Sequence, residues 1–207
     1  MAVSGAGLDQ LHEVQQLSMR AVGATLPGLP TDKMGATLVE GAFRVIVTGS
    51  RGYPDNGDVD SALNAALDVV GRMVLGTRLI VVHGACSTGG DELADRWTLK
   101  AHRRSPGLVP WPERVPADWM APCRQGGYCG SGRHRRSVVD RAGGTRTICP
   151  AAGYYRNEEM VARGATACFS FNLGTRGTSH CRNAAVAAGI PTWEWAPGRP
   201  VRQLYPK

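Results

Sequence analysis

Leu79–Asp95, LIVVHGACSTGGDELAD, joins an apolar strand, a glycine-rich bend and the acidic first turn of a helix. Leu79, Ile80, Val81 and Val82 show no polar alternation, which predicts a strand covered on both faces, as in a parallel sheet. Gly84, Gly89 and Gly90 let the backbone pass close to a ligand or take up positive φ. The amides that follow stand at a helix N-terminus, where unpaired N–H groups and the helix dipole favour an anion. A plain strand-to-helix turn has the same outline, so the reading depends on what the rest of the chain does.

Upstream, Phe43 opens the domain and Arg44–Thr48 is a short β-branched strand, followed at its carboxyl end by Gly49-Ser50-Arg51-Gly52. Ser50 can bond a phosphate or ribose and Arg51 can grip an anion with two N–H groups, unless Arg51 is simply a solvated turn residue. Val59, Leu63, Ala66, Leu67 and Val70 form one stripe of a returning helix, with Asp58 expected as its cap. Leu93, Ala94, Trp97 and Ala101 give the helix after the glycine bend its buried face. Asp91 either binds ribose hydroxyls or caps that helix. Downstream, Val109–Trp119 carries three prolines and holds at most a short strand. Glu158–Arg163 reads as a helix with Arg156 and Asn157 in its entry turn, both candidate ligand-binding residues at the same sheet edge, unless Asn157 is simply the N-cap. Ala165–Phe171 is a further buried strand. It ends in Gly174-Thr175-Arg176-Gly177-Thr178, a second anion cradle ahead of a helix over Ser179–Ala188. Pro191–Trp195 reads as a last edge strand, and the tail 196–207 as irregular. Residues 1–42 read as a helical extension, from Leu8, Leu11, Val14, Leu17 and Val22, that either packs on the main domain, dimerises or frays.

The chain has 207 residues, 43% of them hydrophobic, enough for one α/β domain with additions. Its net charge of +7 is uneven: Ala101–Arg146 holds nine arginines against Glu113, Asp118 and Asp140. A uniform nucleic-acid-binding surface is thereby disfavoured, while a local basic patch for nucleic acid stays open. No run approaches the about 18 apolar residues of a membrane span. The N-terminus has no apolar signal core, so a cytoplasmic protein is expected. Six cysteines in that setting point to thiols or metal ligands rather than disulfides. Cys123, Cys129, His134 and Cys149 are the ligand types of a structural zinc site, in a loop with few apolar residues to order it. Reduced thiols in a mobile loop are the alternative, and the neighbouring arginines favour thiolates in either case.

Two familiar chemistries are excluded. In Gly84-x4-Gly89-Gly90-Asp91, Gly90 stands where a phosphate loop needs Lys, and Asp91 where it needs Ser or Thr for magnesium. The strict G-x-G-x-x-G fingerprint is missing from both loops, so no NAD redox role is expected.

Val47-Thr-Gly-Ser-Arg51, Gly84-Ala-x4-Gly-Asp91 with its extra Gly90, Ala152-Gly-x2-Arg-Asn-x2-Met160 and Gly174-x-Arg-Gly-Thr178 occur in order. Together they resemble the YspA-like branch of the SLOG superfamily, over about Phe43–Trp195. That superfamily is related to the "lonely guy" cytokinin-activating phosphoribohydrolases and to the Rossmann-like domain of DNA-processing protein A. The resemblance implies a Rossmann-like, mostly parallel sheet flanked by helices, a nucleotide or nucleotide-derived ligand such as an ADP-ribose-like molecule, and a homo-oligomer. The Cys123–Cys149 insertion, within 120–150, resembles one in actinobacterial relatives. The phosphoribohydrolases carry a glutamate soon after the Gly-Thr turn, where this chain has Ser179, His180 and Cys181. The glycosidase reading is weakened by that loss; Asp91, Glu158 or His180 are the groups that could substitute. Three functions therefore stand at this point: a nucleotide-ligand binder or sensor, a nucleotide N-glycosidase, and a nucleic-acid-associated protein using the arginine-rich loop.

Overall fold

The computed structural model describes residue 39 and residues 41–55, 57–73, 77–104, 110–130, 134–140 and 142–205. The expected N-terminal helix lies outside the described residues. Six strands form one sheet in the order β3-β2-β1-β6-β7-β8, with β1 (Ala42–Gly49), β2 (Arg78–His83), β3 (Trp111–Arg114), β6 (Ala167–Phe171), β7 (Thr192–Trp195) and β8 (Arg202–Leu204). All neighbours are parallel except β7 and β8. Strand residues alternate between two cores. Phe43, Val45, Val47, Leu79, Val81, Phe169 and Phe171 face helices α1 (Asp58–Gly71) and α2 (Gly90–Arg104). Ile46, Val82 and Cys168 face α3 (Ala152–Ala162) and α4 (Arg176–Ala187) through Met160, Cys181 and Ala185. Double coverage is why these strands carry no polar alternation.

Several boundaries differ from the sequence reading. Gly57, with φ 84°, takes the cap position of α1; Asp58 lies inside the helix and accepts a 2.5 Å hydrogen bond from the Tyr53 hydroxyl. Helix α3 begins at Ala152, behind Pro150 and Ala151, so Asn157 is a buried mid-helix residue and not an N-cap. Helix α4 begins at Arg176, which puts Gly177 and Thr178 in its first turn. The last parallel strand is not an edge: β8, from the tail expected to be irregular, pairs antiparallel along β7. Glu194 on β7 explains that addition, because its buried carboxylate binds Arg182 on α4 and Arg202 on β8.

The insertion holds a 3-10 turn at Gly127–Cys129 and an antiparallel hairpin of β4 (Arg136–Val139) and β5 (Thr145–Ile148). The hairpin is exposed over nearly its whole length and stands apart from the main sheet. Among the described residues no helix is long and apolar enough to cross a membrane.

Candidate functional site

From β1 the chain runs to β2 and β3 on one side, then returns to β6 and β7 on the other. The carboxyl ends of β1 and β6 therefore flank the switch point of the topology, where open α/β sheets form their ligand crevice. Three loops meet there. The Ser50 hydroxyl, 1% exposed, accepts the Leu173 N–H at 2.9 Å and lies 2.9 Å from the Thr175 hydroxyl and 3.4 Å from that of Thr178. Those partners satisfy a hydroxyl, so Ser50 acts as a latch between the β1 and β6 loops. Gly49 and Gly90 touch backbone to backbone: a Cβ on Gly49 would stand 2.5 Å from the Gly90 Cα. A Cβ on Gly89, whose φ is 73°, would stand 2.1 Å from the Ser50 carbonyl oxygen. Glycine at these positions is required by loop-on-loop packing.

The loops, α3 and the insertion enclose a crevice of about 330 Å³. Gly49, Arg51 and Asp91 line it, as do Arg156, Asn157 and the α4 entry residues Thr175, Gly177 and Thr178. Ser50, Gly84, Gly89, Gly90 and Gly174 support its loops without lining it, and Arg176 is exposed at the start of α4, also off the lining. Arg51 is exposed to the crevice and makes no hydrogen bond or ion pair among the described residues.

Arg156 is its opposite. Its side chain is 11% exposed and donates to the carbonyl of Gly84, to that of Val115 at 3.4 Å, and to the Asn157 side-chain oxygen at 2.9 Å. Its guanidinium stands 3.9 Å from Asp91, whose carboxylate also accepts the Cys86 N–H at 3.3 Å. Asp91 thus caps the loop ahead of its helix, within the crevice wall. Gly84 is needed because a Cβ there would overlap the Arg156 guanidinium. Asn157 donates to the Gly177 carbonyl at 3.0 Å and so ties α3 to α4.

The other two candidate acid–base residues stand behind this wall. Tyr128, from the 3-10 turn, donates to Glu158 at 2.7 Å, and its oxygen lies 2.7 Å from His180 Nε2. Asn157 Nδ2 lies 3.5 Å from His180 Nδ1. One proton arrangement satisfies the chain: Asn157 donates to Nδ1, Nε2–H donates to Tyr128, and Tyr128 donates to Glu158. Burial pushes the His180 pKa down, in keeping with that neutral ring. Neither Glu158 nor His180 lines the crevice. Sequence reasoning missed Tyr128, Trp119, Pro150 and Tyr154; the last three line the crevice. Trp119 ends a proline-rich loop and Pro150 sits in the short link between β5 and α3, neither with a periodicity to read.

The thiol or ring-nitrogen atoms of Cys123, Cys129, His134 and Cys149 all lie within 4.8 Å of one another. Cys129 and Cys149 sulfurs are 3.6 Å apart, and His134 Nε2 is 3.4 Å from the Cys149 sulfur. Two thiolates about 2.3 Å from a tetrahedral ion lie about 3.8 Å apart, so this donor set fits one metal ion. Cys168 and Cys181 are different: both are buried in the core, and burial lifts the Cys181 thiol to about 12. At the crevice, burial and then Asp91 raise the Cys86 thiol, which keeps it protonated.

Much of the arginine excess is engaged internally. Arg135 donates to the carbonyls of Ala121, Met120 and Thr147, Arg146 pairs with Asp140, and Arg114 pairs with Asp95. Arg124 lies 4.2 Å over the Tyr155 ring.

A doubly covered parallel sheet with three loops and two helix N-termini at its switch point defines a Rossmann-like ligand-binding domain. The family described as YspA, cpYpsA-related SLOG matches residues 43–121. The Gene 61 protein of Mycobacterium phage D29 is 36% identical over 149 residues, 72% of this chain and 92% of that protein. No solved structure matches the chain significantly. The chain belongs to the YspA, cpYpsA-related SLOG family.

Proposed function

We propose that the unit spanning 43–195 binds a phosphate-bearing, nucleotide-derived ligand as a binder or sensor, and that zinc staples its 120–150 insertion. One observation carries the first part. Arg51, without a protein partner among the described residues, projects into a crevice that also holds the first turn of α4. An unpaired guanidinium and helix N–H groups facing one space are what a phosphate requires. For the second part, three thiols and an imidazole at tetrahedral spacing suit zinc best. Bound there, zinc supplies folding energy to a segment with little apolar core. Native mass spectrometry of the purified protein reads ligand, metal and the expected homo-oligomer together. A species with one zinc per chain and a retained phosphate compound supports both parts; no binding of AMP, ADP-ribose or phosphate by calorimetry rejects the first.

The N-glycosidase reading keeps one supporting observation: the Asp91 carboxylate lines the crevice. Incubation with AMP and chromatography for free adenine tests it.

A further inference from the structure

Two unlike kinds of surface line the crevice. Strand β1, the loop after it and the first turns of α2 and α4 contribute Thr48, Arg51, Asp91 and Thr178. Trp119 from the proline-rich loop, Pro150 from the end of the insertion and Tyr154 from the start of α3 contribute flat apolar surface. The Trp119 ring is fixed rather than loosely draped. It lies on Gly153 of α3, where a Cβ would come within 3.2 Å of the indole. It also packs against the buried cluster of Cys129, Cys149, Ala151 and Ala152. The Trp119 carbonyl accepts the N–H of Cys149 at 2.9 Å, so a residue of the proposed metal site is bonded directly to the backbone that carries the ring. Tyr154 is braced as well, with its ring 4.7 Å from His180 and 5.2 Å from Tyr128.

A rigid aromatic surface beside a cationic, hydroxyl-rich pocket suits a ligand with an anionic end and a planar aromatic end. We infer that Trp119 is a specificity-determining residue: it packs on the nucleobase of a mononucleotide whose phosphate lies toward Arg51 and Thr178. The loop that leads into the insertion thereby supplies the part of the site that tells a nucleotide from a sugar phosphate. This rests on the nucleotide reading above. A cavity of about 330 Å³ sits near the lower end of small-ligand pockets, which favours a mononucleotide over a dinucleotide.

The test compares AMP with ribose 5-phosphate by calorimetry, in the wild-type chain and in Trp119→Ala and Trp119→Phe. Wild type binds AMP about tenfold or more tightly than ribose 5-phosphate, the scale of one base on one aromatic ring. Trp119→Ala brings AMP down to the affinity of ribose 5-phosphate and leaves the latter unchanged. Trp119→Phe keeps a ring, restores most of the AMP preference, and loses the quenching of indole fluorescence that AMP produces in wild type. The Phe variant and the quenching decide the matter even if the Ala variant fails to fold. Equal binding of the two ligands by wild type, or an AMP preference that survives in Trp119→Ala, overturns the role of Trp119 and leaves the phosphate site standing. Failure of wild type to bind either ligand overturns both.

Discussion

Arg156→Met separates a wall-building arginine from a ligand-facing one. Methionine keeps most of the aliphatic stem but removes every donor. The carbonyls of Gly84 and Val115 and the side-chain oxygen of Asn157 lose the Arg156 donor, and the Asp91 carboxylate, 6% exposed, loses the cation 3.9 Å away. Removing one member of a buried charge pair costs about 3–5 kcal/mol. Here the cost falls at or just below the lower end of that range, since Asp91 keeps the Cys86 N–H and the separation is longer than a direct ion pair. A loss of about 2–3 kcal/mol lowers Tm by roughly 5–10 °C in a chain of this size. In an Asp91→Asn background the uncompensated charge is gone, and the same substitution should cost at least about 1 kcal/mol less. Thermal melts of the four proteins complete the cycle. A Tm within about 2 °C of wild type for Arg156→Met, or strictly additive effects, would refute the buried pairing.

Three further outcomes follow from the same contacts. Gly49→Ala drives a methyl group into the Gly90 backbone and should destabilise by about 1–3 kcal/mol without any change of charge; denaturant titration measures it. Cys149→Ser should lower bound zinc from one per chain toward none and lower amide protection across the β4–β5 hairpin, as read by metal analysis and hydrogen exchange. The hydrogen bonds from Arg44, with Arg163 adding to them, hold the Glu113 carboxyl below its usual range. A depressed folded pKa gives stability that is present above the unfolded value and lost as pH falls through the folded one. Acid melts should therefore show a loss below the ordinary carboxylate range that Glu113→Gln removes.

The sheet was legible because double burial leaves a simple trace: Leu79–Val82 is apolar throughout, Ala165–Phe171 carries no charge and only two small hydroxyls, and both end in glycine or hydroxyl-rich loops. The positions of Arg51, Asp91 and Thr178 in the crevice lining could be read for a related reason, since strand ends and helix starts fix their places. Elements stabilised by distant partners were not. Helix α4 starts at Arg176 with no side-chain cap, and β8 is set by Glu194 reaching Arg202. The β4–β5 hairpin is exposed over nearly its whole length, so it shows no burial period; His134 and Cys149 close its base. The Ser50 latch spans 125 residues to Thr175, and Tyr128 reaches His180 across 52. Ser50 and Asn157, both candidate ligand groups by sequence, have their polar atoms engaged within the protein, Ser50 by the β6 loop and Asn157 by Arg156 and the first turn of α4.

Arg51 offers the most direct measurement, since it lines the crevice, is exposed, and has no partner to lose among the described residues. Calorimetric titration of AMP into wild type and Arg51→Ala, with melts alongside, should show at least a tenfold loss of affinity and a Tm within about 2 °C of wild type. Unchanged affinity at unchanged stability would mean that no anion is held where these three loops meet.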